Sequence, residues 1–170
     1  MARNVEIKAR VHDLDATRRR AAALAQGPSE LISQVDTFFV VPRGRLKVRQ
    51  FGDGSGELIA YDRADEAGPK QSSYIVASSA DAHALCAALA RALAVRGRVV
   101  KRRELYLVGR TRVHLDEVER LGAFLELEVV LQDGEPMEAG EREARDLMRR
   151  LGVEAKDLVT GAYLDLLEES

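Results

Sequence analysis

The chain has 170 residues, of which 46% are hydrophobic and 32% are charged, and its formal net charge at pH 7 is −2. These values are typical of a globular protein with one core, and they argue against a general nucleic-acid binder, which usually carries a basic excess. A single cysteine excludes an intrachain disulfide, and the lack of a membrane-length apolar run or an opening signal segment predicts a cytoplasmic protein that binds neither nucleic acid nor membrane.

Apolar and polar residues alternate in the first predicted element, a strand over about residues 3–11. Val5, Ile7 and Ala9 share one face of this strand, while Asn4, Glu6, Lys8 and Arg10 share the other. Asp13 is a typical N-cap for the helix that follows. The first half of the chain is then predicted to contain a helix at 14–25 and strands at 33–41, 44–51, 57–63 and 72–77, with a glycine-rich hairpin turn at 52–56.

The second half is predicted to contain a helix that starts at Ser79 or Asp81, runs to about Val95 and is closed by Gly97. Strands at 99–108, 111–116 and 123–131 and helices at 138–151 and 155–167 complete the chain. Because no linker, repeat or low-complexity tract interrupts this order, we expect residues 1–170 to form a single domain.

The predicted helices are amphipathic and need an apolar surface, which the apolar faces of the strands can provide. The charged faces must then point the other way, and curling the sheet into a barrel would enclose them. The sequence therefore predicts an α+β fold, in which an eight-stranded antiparallel β-barrel forms a tunnel with a charged lumen and carries its helices on the outside.

Two sets of charged residues are assigned to this lumen. The positive set suits phosphate oxygens, which arginine can bind through two parallel hydrogen bonds, and it contains Lys8, Lys47, Arg49, Arg63, Lys101, Arg103 and Arg112. The acidic set contains Glu6, Asp116, Glu126 and Glu128. Hard oxygen ligands without thiolates favour Mg²⁺ or Mn²⁺, so the two sets together indicate a metal-bound polyphosphate.

A charged strand face is more often the solvated side of an antiparallel sheet, and for a single segment this is the default interpretation. Solvated faces usually mix signs, because adjacent like charges reduce stability. Here Lys47 and Arg49, Lys101 and Arg103, and Glu126 and Glu128 are same-sign pairs, which favours an enclosed site. His114 also lies on a charged face, but a lone histidine is more often a hydrogen-bonding partner than a metal ligand.

These motifs resemble the CYTH superfamily, the triphosphate tunnel metalloenzymes, which includes class IV adenylyl cyclases and thiamine, inorganic and fungal-type RNA triphosphatases. The similarity covers nearly the whole chain and also includes the segments at 36–39, 114–118 and 162–167. It implies an eight-stranded barrel in which Glu6, Glu126 and Glu128 bind the divalent metal and the basic residues bind the triphosphate. One residue departs from the Glu-x-Glu-x-Lys signature of the family: Asn4 replaces its first glutamate, which puts a second metal site in doubt.

Three functions remain open at this stage. A metal-dependent phosphohydrolase of inorganic, nucleoside or thiamine triphosphate is favoured, with Glu6 and Lys8 as candidate catalytic residues that orient or deprotonate the attacking water. A class IV adenylyl cyclase, which converts ATP to cyclic AMP and pyrophosphate, is the first alternative, and a non-catalytic polyphosphate-binding module is the second. A homodimer is compatible with the sequence, although no surface stripe requires one.

Overall fold

The computed structural model of the chain describes residues 2–64 and 66–170. In this part of the chain the strands are Ala2–Arg10 (β1), Glu30–Phe39 (β2), Arg45–Phe51 (β3), Gly56–Arg63 (β4), Lys70–Ser79 (β5), Val95–Val108 (β6), Thr111–Val118 (β7) and Gly122–Val130 (β8). The α-helices are Leu14–Leu24 (α1), Ala82–Ala92 (α2), Met137–Arg150 (α3) and Tyr163–Glu169 (α4), and a 3₁₀ turn covers Ala155–Asp157.

The strands form a closed antiparallel barrel in the order β1-β5-β4-β3-β2-β6-β7-β8, and β8 pairs back to β1. Closure leaves none of these strands with a free edge, so their backbone groups pair within the sheet. The predicted α+β barrel is therefore confirmed.

Alternation along the strands places charge inside the barrel and apolar side chains outside, as predicted. On β1, Val5, Ile7 and Ala9 are fully buried on the outer face, where they pack in one cluster with residues of α3. The helix approaches the sheet closely at Gly140, where an added Cβ would lie 2.7 Å from a Val5 methyl carbon. Burial of this apolar interface fixes which face of β1 points into the lumen.

A second apolar cluster joins the end of the chain to the barrel. Phe124 and Tyr163 pack edge to face, with ring centroids 5.0 Å apart, and Leu164 lies beside them. Gly97, which was predicted to close a helix, lies instead within β6, and that prediction is wrong. Its missing side chain makes room for Leu164, because an added Cβ would be 2.6 Å from Leu164 Cδ1.

The C-terminal region also differs from its prediction. The expected continuous helix over 155–167 is wrong, since an extended stretch separates the 3₁₀ turn from α4. In this stretch Leu158 forms a bridge with Ala9, and the Val159 amide donates to the Lys8 carbonyl over 3.0 Å. Pairing with β1 prevents these residues from continuing a helix, and it brings Tyr163 to the lumen.

Candidate functional site

The inner faces of the strands enclose a cavity of about 340 Å³. This volume falls within the range of roughly 300–1,000 Å³ that is typical of small-molecule sites. All seven residues of the predicted positive set line it, namely Lys8, Lys47, Arg49, Arg63, Lys101, Arg103 and Arg112. Among the described residues, five acidic side chains share the lining, namely Glu6, Asp36, Glu57, Glu126 and Glu128. The excess of cations makes this cavity suited to an anion.

One side of the cavity, which we call the basic wall, consists of Lys47, Arg49 and Lys101 grouped around Asp36 on strands β2, β3 and β6. Arg49 donates from Nε and Nη2 to the two carboxylate oxygens of Asp36 over 2.9 Å each, and Lys47 Nζ donates over 3.0 Å. Lys101 Nζ lies 3.9 Å from the same carboxylate. Burial alone would raise the pKa of Asp36, but the three cations outweigh it and hold that pKa well below its usual value.

Asp36 was not predicted as a site residue. Its inward position follows from strand alternation, but its role depends on cations from two neighbouring strands, which the sequence does not place. A single carboxylate among three cations leaves the basic wall with surplus positive charge.

The opposite side, which we call the acidic wall, brings together Glu6, Glu126 and Glu128 as predicted. Register explains why: on β1 and β8, Glu6 pairs with Glu128 and Lys8 with Glu126. Lys8 Nζ lies 3.2 Å from Glu126 Oε1, and Arg112 donates to Glu128 Oε2 over 2.7 and 3.0 Å. The three carboxylates therefore lie side by side, each facing cations of the same lumen.

The pKa values of Glu6 and Glu126 shift in opposite directions because their neighbours differ. Burial, supported by the negative charge of Glu128, raises the pKa of Glu6, although Arg63 Nη1 lies 3.5 Å from its carboxylate. For Glu126, burial acts in the same direction, but Lys8 and Arg103 hold the pKa well below its usual value. Glu6 is thus the stronger base of the two.

His114 extends the acidic wall onto β7, where it pairs with Glu126. Its Nδ1 lies 3.7 Å from Glu128 Oε1 and 3.8 Å from Glu126 Oε2. Burial, together with Arg103, lowers the pKa of His114, so its neutral form is favoured near pH 7. The sequence marked this residue as inward-facing, but its spacing gave no reason to group it with the two glutamates.

Asp116, also predicted as a metal ligand, is not brought to this cluster. It is fully buried behind the cavity lining, where Arg103 donates to both of its oxygens over 2.7 Å and the Tyr163 hydroxyl donates over 2.8 Å. Burial alone would raise the pKa of Asp116, but Arg103 and Lys101 lower it to about 2. Its geometry is that of a counter-ion that orients Arg103.

The C-terminal segment supplies Tyr163, which lines the cavity and which sequence reasoning missed. Lys8 Nζ lies 3.9 Å from the centre of its ring and donates to the Gly161 carbonyl over 3.3 Å. Lys101 Nζ lies 5.0 Å from the same ring. Burial, together with Arg103, lowers the pKa of Lys101 to about 7, and burial also lowers the pKa of Lys8.

Several buried polar atoms facing the lumen make no hydrogen bond within residues 2–64 and 66–170. Three of them can serve as ligands of a cation, namely Asn4 Oδ1, Gln34 Oε1 and His114 Nδ1, and two are donors, namely Arg63 Nε and Nη2. Carboxylate and amide oxygens with a neutral imidazole are a suitable donor set for a divalent ion. The acidic wall therefore fits a metal, and the free donors of Arg63 fit an anion.

The cavity is not charged throughout. Ile32, Phe51, Ile59 and Val76 form an apolar part of its lining, contributed by β2 to β5. Such a surface can pack against an aromatic ring or another apolar part of a ligand.

In the described part of the chain, no helix is both long and apolar enough to cross a membrane.

Comparisons with known proteins agree with this geometry. Residues 2–163 match the CYTH domain. The adenylate cyclase CyaB of Aeromonas hydrophila is 29% identical over 177 residues, which cover 98% of this chain and 89% of that protein.

Two solved structures show the same architecture. The PH1012 protein of Pyrococcus horikoshii OT3 superposes with a TM-score of 0.85 at 25% identity, covering 96% of this chain and 98% of its own. The HpAC1 protein of Hippeastrum superposes with a TM-score of 0.67 at 15% identity, covering 98% of this chain and 95% of its own. At that identity the second comparison supports the fold only.

Proposed function

Because the chain belongs to the CYTH domain family, which includes adenylate cyclases and triphosphatases, we propose that it is a divalent-metal-dependent phosphohydrolase of triphosphate compounds. Inorganic, nucleoside and thiamine triphosphates are the substrate class. Residues 1–170 would act as one domain, with the substrate in the barrel lumen.

The main support for this proposal is that a basic wall and an acidic wall line the same cavity. A polyphosphate needs several cations at once, and a metal ion bound to it needs carboxylates beside them. The basic wall and the acidic wall provide both within about 340 Å³. On a solvated strand face, by contrast, these charges would be exposed to water.

On the basic wall, Lys47, Arg49 and Lys101 would bind the phosphate oxygens. Asp36 holds them in place before substrate arrives, so little ordering is needed on binding. Arg63, with two buried donors that find no partner in the described residues, would add a further contact to the phosphates. Arg103 and Arg112 would approach them from the side of the acidic wall.

On the acidic wall, Glu6, Glu126 and Glu128 would hold Mg²⁺ or Mn²⁺, whereas Asp116 would act only as the counter-ion of Arg103. When bound, the ion neutralises the charge that develops on the phosphoryl oxygens. Asn4 offers one neutral amide oxygen in place of a carboxylate. We therefore favour one strongly held ion over two.

Glu6 and Lys8 are the proposed catalytic residues. Glu6 would orient the attacking water by accepting a hydrogen bond from it through its carboxylate. Lys8, fixed by Glu126 and the Gly161 carbonyl, would stabilise negative charge in the transition state. Its burial lowers its pKa, so it could also act as the proton acceptor.

The test is to incubate the purified chain with Mg²⁺ or Mn²⁺ and, in parallel, ATP, tripolyphosphate and thiamine triphosphate, and then to separate the products by chromatography. Release of orthophosphate is expected, and the fastest substrate identifies the preferred leaving group. Absence of turnover with tight triphosphate binding would contradict the enzyme proposal and favour a binding module.

Adenylate cyclisation is the second candidate, and two observations favour it. The relative from Aeromonas hydrophila is named an adenylate cyclase, and the apolar lining at Ile32, Phe51 and Val76 could hold an adenine base. In contrast, the structure of HpAC1 is described as revealing a dominant triphosphatase activity. Cyclic AMP with pyrophosphate as the main products from ATP would replace the hydrolase proposal.

A further inference from the structure

We propose that His114 binds the divalent ion of the acidic wall through Nδ1, and that this nitrogen ligand makes the site select Mn²⁺ over Mg²⁺. The inference rests on the proposed metal site and adds to it a ligand that the glutamates do not supply.

Three possible ligand atoms lie close enough together to share one ion. One ligand atom each from His114, Glu126 and Glu128 can be chosen so that all three lie within 4.8 Å of one another. His114 Nδ1 is 3.7 Å from Glu128 Oε1 and 3.8 Å from Glu126 Oε2. Two ligands at about 2.1 Å from one ion are separated by at most about 4.2 Å, so an ion can reach the nitrogen and either oxygen without rearrangement of the strands.

Nδ1 of His114 has no hydrogen-bond partner among the described residues. His114 is 4% exposed. If the ring donated to a glutamate, the atoms would lie about 2.7–3.2 Å apart, which is shorter than either observed separation. A buried ring nitrogen without a partner reduces stability, and an ion between the three side chains would satisfy it.

The two glutamate oxygens that face His114 differ in their hydrogen bonds. Arg112 donates to Glu128 Oε2, which leaves Oε1 directed at His114. Glu126 is held through Oε1 by Lys8, while its Oε2 accepts from Arg103. The cations thus orient the two carboxylates so that one oxygen of each faces the imidazole.

Metal preference follows from the ligand types. Both Mg²⁺ and Mn²⁺ usually take oxygen ligands, and imidazole is commoner on other transition metals. Mg²⁺ is the stricter of the two, because it demands near-ideal octahedral geometry and gives up its water reluctantly, so a nitrogen ligand disfavours Mg²⁺ more than Mn²⁺. Asn4 already removes one carboxylate from the signature expected at this end of β1. With fewer anionic oxygens and one nitrogen, the site is expected to bind Mn²⁺ more tightly than Mg²⁺.

The experiment is pulsed electron paramagnetic resonance of Mn²⁺ bound to the full chain, in which a directly bound imidazole nitrogen modulates the electron spin echo. The chain contains three histidines, His12, His83 and His114, so the signal can be assigned by substitution. We expect nitrogen modulation in the unsubstituted protein and its loss in His114→Gln. The matched control His12→Gln, at an exposed histidine 2.9 Å from Asp157, should retain it.

Mn²⁺ and Mg²⁺ titrations of the same proteins complete the test. His114→Gln should weaken Mn²⁺ binding by about ten-fold and Mg²⁺ binding by much less, so that the preference decreases. Mn²⁺ that binds and responds to Glu128→Gln, yet shows no histidine nitrogen, would overturn the His114 assignment while leaving the metal site intact. Mn²⁺ binding that is absent, or indifferent to Glu128→Gln, would overturn the proposed metal site itself.

Discussion

The two walls of the lumen are built by the same device and differ in what they can bind. Each uses alternate residues of neighbouring strands, but the basic wall surrounds one carboxylate, Asp36, with three cations. The acidic wall instead places Glu6, Glu126 and Glu128 beside one another, with cations at their edges. The first arrangement leaves positive charge for an anion, and the second leaves oxygens for a metal ion.

This difference indicates that a charged strand face forms a binding site because of the side chains that lie across the barrel from it, more than because of its own composition. Neither wall would be a site on an open sheet, because water would screen its charges. Closure encloses these charges and places the acidic wall opposite the basic wall. Substitutions in one wall should therefore affect one ligand and spare the other.

The largest expected effect comes from the acidic wall. Glu128→Gln keeps the shape of the side chain but removes a carboxylate whose partner, Arg112, can still reach solvent. We expect Mn²⁺ affinity to decrease by at least about 10–100-fold and metal-dependent turnover to be lost. Removing a residue that only hydrogen-bonds to a metal ligand already lowers metal affinity by about this factor. Titration calorimetry and a turnover assay measure the two.

The matched control for this substitution is Glu117→Gln, at an exposed position on β7. It should leave Mn²⁺ affinity and melting temperature unchanged. Equal Mn²⁺ affinity in Glu128→Gln and the unsubstituted protein would show that the acidic wall is not the metal site.

The next effect concerns the stability of the basic wall. Asp36→Asn removes the carboxylate that Lys47, Arg49 and Lys101 share, so buried cations repel one another. Removing one partner of a buried ion pair costs about 3–5 kcal/mol, and we expect a loss in the free energy of unfolding of that order. Denaturant titration measures it.

Added tripolyphosphate should restore the melting temperature of Asp36→Asn by more degrees than it raises that of the unsubstituted protein, because the anion replaces the lost carboxylate. A smaller increase in the variant would mean that the anion binds elsewhere.

A more moderate effect is expected from Arg49→Gln, which removes a cation but keeps a polar side chain. A hydrogen bond to a charged group contributes about 1.5–3 kcal/mol, so tripolyphosphate affinity should weaken by about 10–100-fold while Mn²⁺ affinity is retained. Arg98→Gln, at an exposed position on β6, is the control. Parallel losses of anion and metal affinity would contradict the separation of the two walls.

The smallest effect is a pH dependence of the basic wall. Lys101 has a pKa of about 7 in the folded chain against 10.5 when exposed, so the unfolded chain binds the additional proton between these values. Burying the charged amine therefore lowers the free energy of unfolding by an amount that is largest at and below pH 7 and that decreases as pH rises towards 10.5.

Binding of tripolyphosphate should respond in the opposite sense, because only the protonated amine attracts it. Above pH 7 the affinity should decrease by up to about ten-fold per pH unit, and less in Lys101→Arg, whose guanidinium stays charged. Comparing the two proteins at each pH cancels the titration of the ligand. Identical pH profiles would remove Lys101 from the anion site.

Much of this site could be predicted from strand alternation alone. The inward direction of Glu6 and Lys8 follows from the apolar residues between them, which α3 must cover. The same argument placed Lys47, Arg49, Glu126 and Glu128, because a shift by one residue would bury charge beneath helices.

What could not be predicted depends on contacts between distant elements. Alternation shows that Asp36 faces inward, but it does not show that three cations converge on this carboxylate. Alternation also does not distinguish Asp116 from the glutamates, although Arg103 holds Asp116 behind the cavity lining. Tyr163 reaches the lumen only because residue 158 pairs with β1 and interrupts the predicted helix. Local pattern does not encode these pairings.

The most direct test of whether the two walls bind a metal ion and a triphosphate is to soak crystals of the protein with Mn²⁺ and tripolyphosphate. Anomalous scattering then locates the ion. We expect one Mn²⁺ bonded to Glu6, Glu126 and Glu128, with the triphosphate spanning the lumen to Lys47, Arg49 and Lys101. An ion and a triphosphate bound outside the barrel, with the Asp36 cluster unchanged, would contradict this expectation.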